Sequence, residues 1–215
     1  MALATKSTTF AKDGQYFVGT SPTPGTGIAS LTAPTTFDDT KPFILLNNGD
    51  ATKTLTLDYI RLQCTAPGTG GTALNWGVKT DVLNALRYTS GGSDSAAATM
   101  LIKNVNMGSS VASSARLLAG AIVAIASGTG SRLLGHGLLR TVIPVIGDTY
   151  LFTFGGDVGA GVSSSIVAGT AVATTCNVMG PCILAPGQWM AFHLWLPGPQ
   201  SAASSYEIEI GWVEA

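Results

Sequence analysis

Near the carboxyl end, Gln188 to Leu196 read QWMAFHLWL, nine residues without a charge and apolar on both sides of a period-two repeat. Trp189, Ala191, His193 and Trp195 fall on one side of that repeat; Met190, Phe192, Leu194 and Leu196 fall on the other. A strand of this kind is stable only where a sheet is covered on both faces. The chain therefore has to surround it with strands and cover it from two directions. The following segment, YEIEIGWV from Tyr206, differs: Tyr206, Ile208 and Ile210 alternate with Glu207 and Glu209, one buried and one wet face. It reads as an outer strand closing the sheet.

The same short, turn-bounded pattern runs through most of the chain. FILLNN, stopped by Asn47-Asn48-Gly49-Asp50, and then TKTLTLDYIRLQCT predict strand, turn and strand. The alternation slips near Tyr59-Ile60, so Leu55 and Leu57 are out of phase with Ile60, Leu62 and Cys64, as a β-bulge or a strand passing from one packed environment to another would produce. TALNWGVKTD, a piece around Leu86-Arg87-Tyr88, a polar SGGSDS loop from Ser90 to Ser95, TMLIKNVNM, TYLFTFGG, a Gly/Ser loop from Gly155 to Ser165 and TAVATTCNVMG follow. Between Val111 and Ile146 alanine and leucine favour helix, whereas Ile122, Val123, Ile125 and TVIPVI favour strand. Strands are the preferred reading, with Ser127 to Ser131 (SGTGS) as a hairpin tip and Leu117, Ala119, Ala121 and Val123 on one face. Eight to ten strands with no solenoid or propeller repeat predict an all-β antiparallel sandwich over residues 34–215, a jelly roll in particular.

Residues 1–33 are rich in Thr, Ser, Pro and Gly, with one apolar knot, Tyr16-Phe17-Val18. They predict an extended amino-terminal arm ordered on a neighbouring subunit, with those three residues as its anchor. On the sandwich, Trp189, His193 and Trp195 are the candidates for packing near an assembly interface.

Composition narrows the function classes. Only 11% of the 215 residues are charged, against about 25% in an ordinary soluble domain. Eleven Lys and Arg against twelve Asp and Glu give a formal charge of −1, so no positive surplus exists for nucleic acid or an anionic bilayer. The longest apolar run, Leu117 to Ala126, is about half the roughly 20 residues of a bilayer helix, and the start lacks a secretory signal. A surface this poor in charge suits a protein packed against copies of itself or its neighbours.

Chemistry-bearing motifs are few. Cys64, Cys176 and Cys182 read as reduced thiols made in a cytoplasm, although Cys176 and Cys182 are close enough in sequence for a local disulfide or half a metal site. His136 and His193 have no ligand-like spacing to them, so neither metal nor cofactor is expected. The glycine-rich stretches carry no phosphate-loop lysine. His193 in a doubly apolar strand and His136 between two glycines read as structural, with no nucleophile elbow to complete a triad. Asp38-Asp39 and Gly155-Gly156-Asp157 read as loop acids, and Glu207 with Glu209 as charges that stop an edge from pairing wrongly. Trp76, Trp189, Trp195 and Trp212 offer an alternative, a sugar-stacking platform.

The carboxyl end, LAPGQWMAFHLWLPGPQSAASSYEIEIGWVEA, resembles the closing strands of jelly-roll virion proteins of tailed bacteriophages, where an APGQ-type turn leads into a Trp-rich strand. The opening TFAKDGQYFVGTSPTPGTGIA resembles the arm of the same proteins. The likeness covers about thirty residues at each end. It implies a non-enzymatic capsid decoration or cement protein on the capsid exterior, made in the host cytoplasm. It further implies a homo-oligomer, a trimer before a dimer, that clamps neighbouring copies of the major capsid protein. The alternative in the same setting is a tail or fibre module that recognises host surface glycans, with Trp76 or Trp212 exposed.

Overall fold

The computed structural model describes residues 6–31, 34–81, 87–155 and 172–215. A short helix, α1 (Lys6–Lys12), precedes β1 (Tyr16–Thr20), β2 (Ile28–Ala29), β3 (Ile44–Asn47), β4 (Leu55–Ala66), β5 (Thr69–Gly70) and β6 (Leu74–Asp81). Next come β7 (Tyr88–Asp94), β8 (Leu101–Asn104), β9 (Arg116–Ala124), β10 (Arg132–Arg140) and β11 (Thr149–Phe154). The chain closes with β12 (Thr174–Met179), β13 (Cys182–Leu184), β14 (Trp189–Trp195), β15 (Gln200–Ala202) and β16 (Ser205–Glu214). The protein is all-β, as its turn-bounded alternation requires.

An eight-stranded sheet runs β12-β11-β4-β16-β1-β8, with β13 added to β4 and β2 to β16. A six-stranded sheet runs β10-β6-β14-β3-β9-β7, and β15 with β5 makes a two-stranded ribbon. Pairing is antiparallel except between β11 and β12, which run parallel. One buried cluster draws on both large sheets: Leu57, Ile60, Phe152, Ile210 and Trp212 from the first, and Ile44, Trp76, Val78, Met190 and Phe192 from the second. At its centre Phe152 meets Trp76 at 4.9 Å and Phe192 at 4.8 Å between ring centroids. A smaller cluster, with Leu45, Leu118, Ile122, Trp189 and Ala191, lies on the other face of the six-stranded sheet. Strand β14 is thus buried on both sides, as its doubly apolar sequence demands.

The predicted slip in β4 is a β-bulge. Gly211 lies opposite Tyr59 but Trp212 lies opposite Leu57, which leaves Asp58 as the extra residue. The bulge turns Leu55 and Leu57 and then Ile60, Leu62 and Cys64 inward from one strand.

Several expectations need correction. Residues 16–20 do not belong to a free arm. Strand β1 lies inside the eight-stranded sheet between β16 and β8, with Tyr16 opposite Val213 and Phe17 opposite Asn104. Tyr16 and Phe17 are buried in this chain's own fold and Val18 is half-buried, so the knot anchors the strand to its own sheet and not to a neighbour. Strand β16 is not an outer strand: it is flanked by β4 and β1, and Glu207 and Glu209 mark a wet face, not an edge. FILLNN and TKTLTL are strand, turn and strand as expected; β3 and β4 do not pair, and the turn passes the chain from one large sheet to the other. SGTGS likewise links strands that do not pair; β9 joins β3 and β7 while β10 joins β6 at the far edge. Along β9, Leu117 and Ala119 are buried but Ala121 and Val123 are exposed. Finally, most of the polar SGGSDS segment is strand β7, which joins the ladder with register shifts between Tyr88 and Ser90 and between Gly91 and Ser93, and with positive φ at Gly91 and Gly92. Leu86, Asp157 and the Gly/Ser stretch beyond Gly155 lie outside the described residues.

Candidate functional site

The densest group of ionisable side chains with access to the surface sits on the outer face of the six-stranded sheet, around His193. Alternation sets its membership. Trp76 and Val78 of β6 turn into the shared core, so Gly77, Lys79 and Asp81 turn outward, and on β14 the same applies to Trp189, Ala191, His193 and Trp195. His193 lies directly opposite Gly77. Since Gly77 has no side chain, the ring of Phe37 lies in that gap, 4.7 Å from the His193 ring and 5.7 Å from Trp195.

Arg87 holds the cover in place. Its side chain is fully buried, and Nη2 donates to the backbone carbonyl of Asp39 at 2.8 Å and to Asp39 Oδ1 at 2.7 Å, while Nε donates to the carbonyl of Ile125 at 3.2 Å. Asp81 lies 3.7 Å from Arg87 Nε. Asp39 also accepts from the backbone N–H of Ser127 at 2.6 Å and pairs with Lys79 at 3.2 Å, and Lys79 donates to the Ser127 hydroxyl. One guanidinium thus ties three chain segments over the sheet.

Electrostatics follow from that geometry. Burial on its own raises the Asp39 carboxyl, but the Ser127 hydrogen bonds, Arg87 and Lys79 outweigh it and hold the group far below the usual carboxylate range. His193 moves down from 6.5 to about 4, first because burial disfavours the imidazolium and then because Arg87 and Lys79 repel it, against weaker attraction from Asp39 and Asp38. Neither His193 ring nitrogen has a hydrogen-bond partner among the described residues, and Asp39 Oδ1 is 4.0 Å away. His193 is therefore a neutral ring inside an ionic latch. Asp39, His193 and Ser127 have the identities of a catalytic triad, but the hydroxyl is engaged by Lys79 and no base–nucleophile hydrogen bond connects them.

No family model matches the chain, and no curated protein matches it either.

The structure separates the other sequence candidates. Trp189 is buried in the smaller cluster, His193 lies in the latch and Trp195 is half-buried at its rim. Trp76 and Trp212 are buried in the shared core, so neither offers a sugar platform. Cys64, Cys176 and Cys182 are all free thiols. Among the described residues no three His, Cys, Asp or Glu side chains gather where a metal could bind, and no helix is long and apolar enough to cross a membrane. A second buried ion pair, Arg140 with Asp148, is fixed by donation to Asp148 from Tyr150 at 2.8 Å and from the N–H groups of Val145 and Ala173 at 2.7 Å each. On the opposite outer face, a shallow cavity of about 220 Å³ is lined by Thr20, Ser21, Arg61, Gln63, Glu207 and Glu209. Its chemistry is spent internally: Arg61 pairs with Glu209, and Glu207 accepts from the N–H of Gly25.

Asp39, Lys79 and Arg87 were not legible as a site in sequence. Asp39 reads as a loop acid, and the three come together only because strands that are distant in sequence are neighbours in the sheet.

Proposed function

We propose that this chain is a structural protein of a tailed-phage particle, a capsid decoration or cement protein that grips neighbouring major capsid subunits from outside the shell. The single observation behind this reading is how the molecule distributes its charge. Four of five arginines (Arg61, Arg87, Arg116 and Arg140) are engaged in ion pairs within the chain, so little charge remains to keep the exterior apart from other proteins. Apolar side chains occupy that exterior instead, Met107, Ile146, Val172 and Ile183 among them. Such a surface approaches another protein with little charge to desolvate.

A jelly-roll topology is part of the proposal. Strands β3, β4 and β6 alternate between the two large sheets, and β14 lies between β3 and β6, a cross-sheet winding of the kind jelly rolls use. The two segments that carry the phage-protein resemblance include β1, β14 and β16, interior strands of the two large sheets. The mechanism is mass action: copies that bind the assembled shell, and not its dissociated parts, raise the free energy needed to break it.

The test is the copy number of the chain per purified virion, by quantitative mass spectrometry against the most abundant shell protein. Hundreds of copies support a lattice-bound decoration protein, and absence from particles ends the reading. A few to a few dozen copies move the chain to the tail or fibres. That second reading, glycan recognition, retains one observation: Phe37, 40% exposed, stands edge-on to Trp195. Glycan binding that is lost in Phe37→Ala without loss of the folded state would favour it.

A further inference from the structure

Asn48-Gly49 is the one Asn-Gly step in the chain. In an unfolded chain such a step is the most prone to lose its side-chain amide, because glycine places no Cβ in the way of its own backbone nitrogen. The Gly49 nitrogen attacks Asn48 Cγ and gives up its proton, and the new C–N bond closes a five-membered succinimide. The bond from Cγ to Nδ2 breaks, and ammonia leaves. Water then opens the ring to aspartate or isoaspartate. One water is consumed and one ammonia released, with no oxidant, cofactor or second enzyme.

The fold requires both residues at this place. Asn48 follows β3, where the chain leaves the six-stranded sheet for the eight-stranded one, and it is fully buried. Its Nδ2 donates to the carbonyls of Lys53 and Leu184, each at 2.9 Å, and its Oδ1 accepts from the N–H of Asp50 at 3.1 Å. Its backbone N–H donates to the Gln188 carbonyl at 3.0 Å, and its carbonyl accepts from the N–H of Gly187 at 2.8 Å. Asn48 thus ties the turn to the end of β13 and to the segment ahead of β14. Two donors and an acceptor on one short planar group are what asparagine supplies and aspartate does not. Gly49 is fixed by sterics: a Cβ there would collide with the backbone carbonyl oxygen of Ser114.

We propose that Asn48 is a deamidation site held shut by folding, one that reacts only when the corner between β3 and β4 opens and whose product keeps that corner from closing again. In the closed corner three hydrogen bonds hold the amide plane, two of them on the nitrogen that has to leave. Attack at Cγ makes that carbon tetrahedral and so has to break them. Opening frees the amide to turn onto the Gly49 nitrogen. Aspartate at position 48 then sets an oxygen, in place of Nδ2, against two carbonyl oxygens and puts a charge in a fully buried position. Isoaspartate also lengthens the backbone by one carbon between an N–H and a carbonyl that are both paired in the fold. Loss of ammonia is not reversed, so the chain keeps a permanent record of having opened. The inference is independent of whether the chain belongs to a phage particle.

The experiment ages the full chain at mildly alkaline pH, in native buffer and in guanidinium chloride above its unfolding midpoint, and follows the Asn48 peptide by mass spectrometry. Deamidation at position 48 is expected in denaturant and, in native buffer, to be slower by more than about tenfold, because only the open fraction reacts. When the denatured sample is returned to native buffer, unmodified chains are expected in the folded fraction and the position-48 product outside it. Asn48→Asp is expected to melt well below the parent or to show no cooperative transition. Asn106→Asp, which gives up one exposed bond to the Lys12 carbonyl, is expected to melt close to the parent. Equal rates in the two buffers overturn the proposal, and so does a step that stays intact in denaturant. A position-48 product, aged or Asn48→Asp, that folds and melts with the parent overturns it too.

Discussion

The buried guanidinium of Arg87 donates to both the backbone carbonyl and the carboxylate of Asp39, at 2.8 and 2.7 Å. One residue thereby neutralises a half-buried acid and fixes the loop that carries it. Arg87→Met leaves Asp39 with the Ser127 N–H and Lys79 but without its buried cation, and removes the bonds from position 87 to the covering segments. Breaking a buried pair from one side costs about 3–5 kcal/mol. Urea unfolding of Arg87→Met is expected to show a loss of that order, and a change below about 1 kcal/mol would show that the latch carries no stability.

His193 gives the latch a pH signature. Its pKa falls from 6.5 to about 4 on folding, so the unfolded chain binds the proton more readily. The stabilisation is complete above about 6.5 and is lost as pH falls towards 4, by about 3 kcal/mol in all. Asp39 is displaced the same way, but its contribution disappears only as pH falls below the ordinary carboxylate value, so the two windows are separate. Denaturant midpoints for wild type and His193→Gln are expected to diverge between pH 7 and pH 4.5, with the variant flatter. Parallel curves would remove His193 as the cause.

Phe17 tests the place of β1 in the fold. Truncating a buried phenylalanine costs about 3–5 kcal/mol, and Phe17→Ala is expected to do so because the ring packs in the shared core near Trp212, at 6.3 Å between centroids. Deletion of residues 2–30 removes an interior strand and is expected to abolish cooperative unfolding. A truncated chain with an intact melting transition would restore the free-arm reading.

Two glycines separate packing from backbone freedom. A Cβ on Gly211 would overlap the Tyr59 ring and lie 2.6 Å from the Tyr16 hydroxyl, whereas one on Gly180 meets nothing within 4 Å. Gly211→Ala is expected to cost about 1–3 kcal/mol, as overpacked sites do, and Gly180→Ala close to nothing. Equal melting temperatures for the two would contradict the close packing of β16 against the two tyrosines.

What the sequence revealed was local. The doubly apolar run around His193, the phase slip near Tyr59-Ile60 and the strand character of Arg116 to Ala124 were legible because period-two alternation is a property of neighbouring residues. Pairing was not. YEIEIGWV looks like an outer strand because its acids mark a wet face, yet a wet face occurs at the centre of a sheet as readily as at its margin. The knot at Tyr16-Phe17-Val18 looks stranded because its partner strands are distant in sequence. The latch was hidden for the same reason: nothing near Asp39 announces Lys79 or Arg87.

The pairing of Tyr16 with Val213 also has a consequence in time. At 5–20 residues per second, a ribosome needs on the order of 10–40 s to pass from β1 to β16. Through that interval β1 lacks β16, and β4 also waits for that strand. The centre of the larger sheet is therefore completed last, by nucleation across nearly the full described chain, and folding is slow compared with domains built from local contacts. Until β16 has emerged, the nascent protein carries open strand edges, and its yield in a cell depends on what shields them.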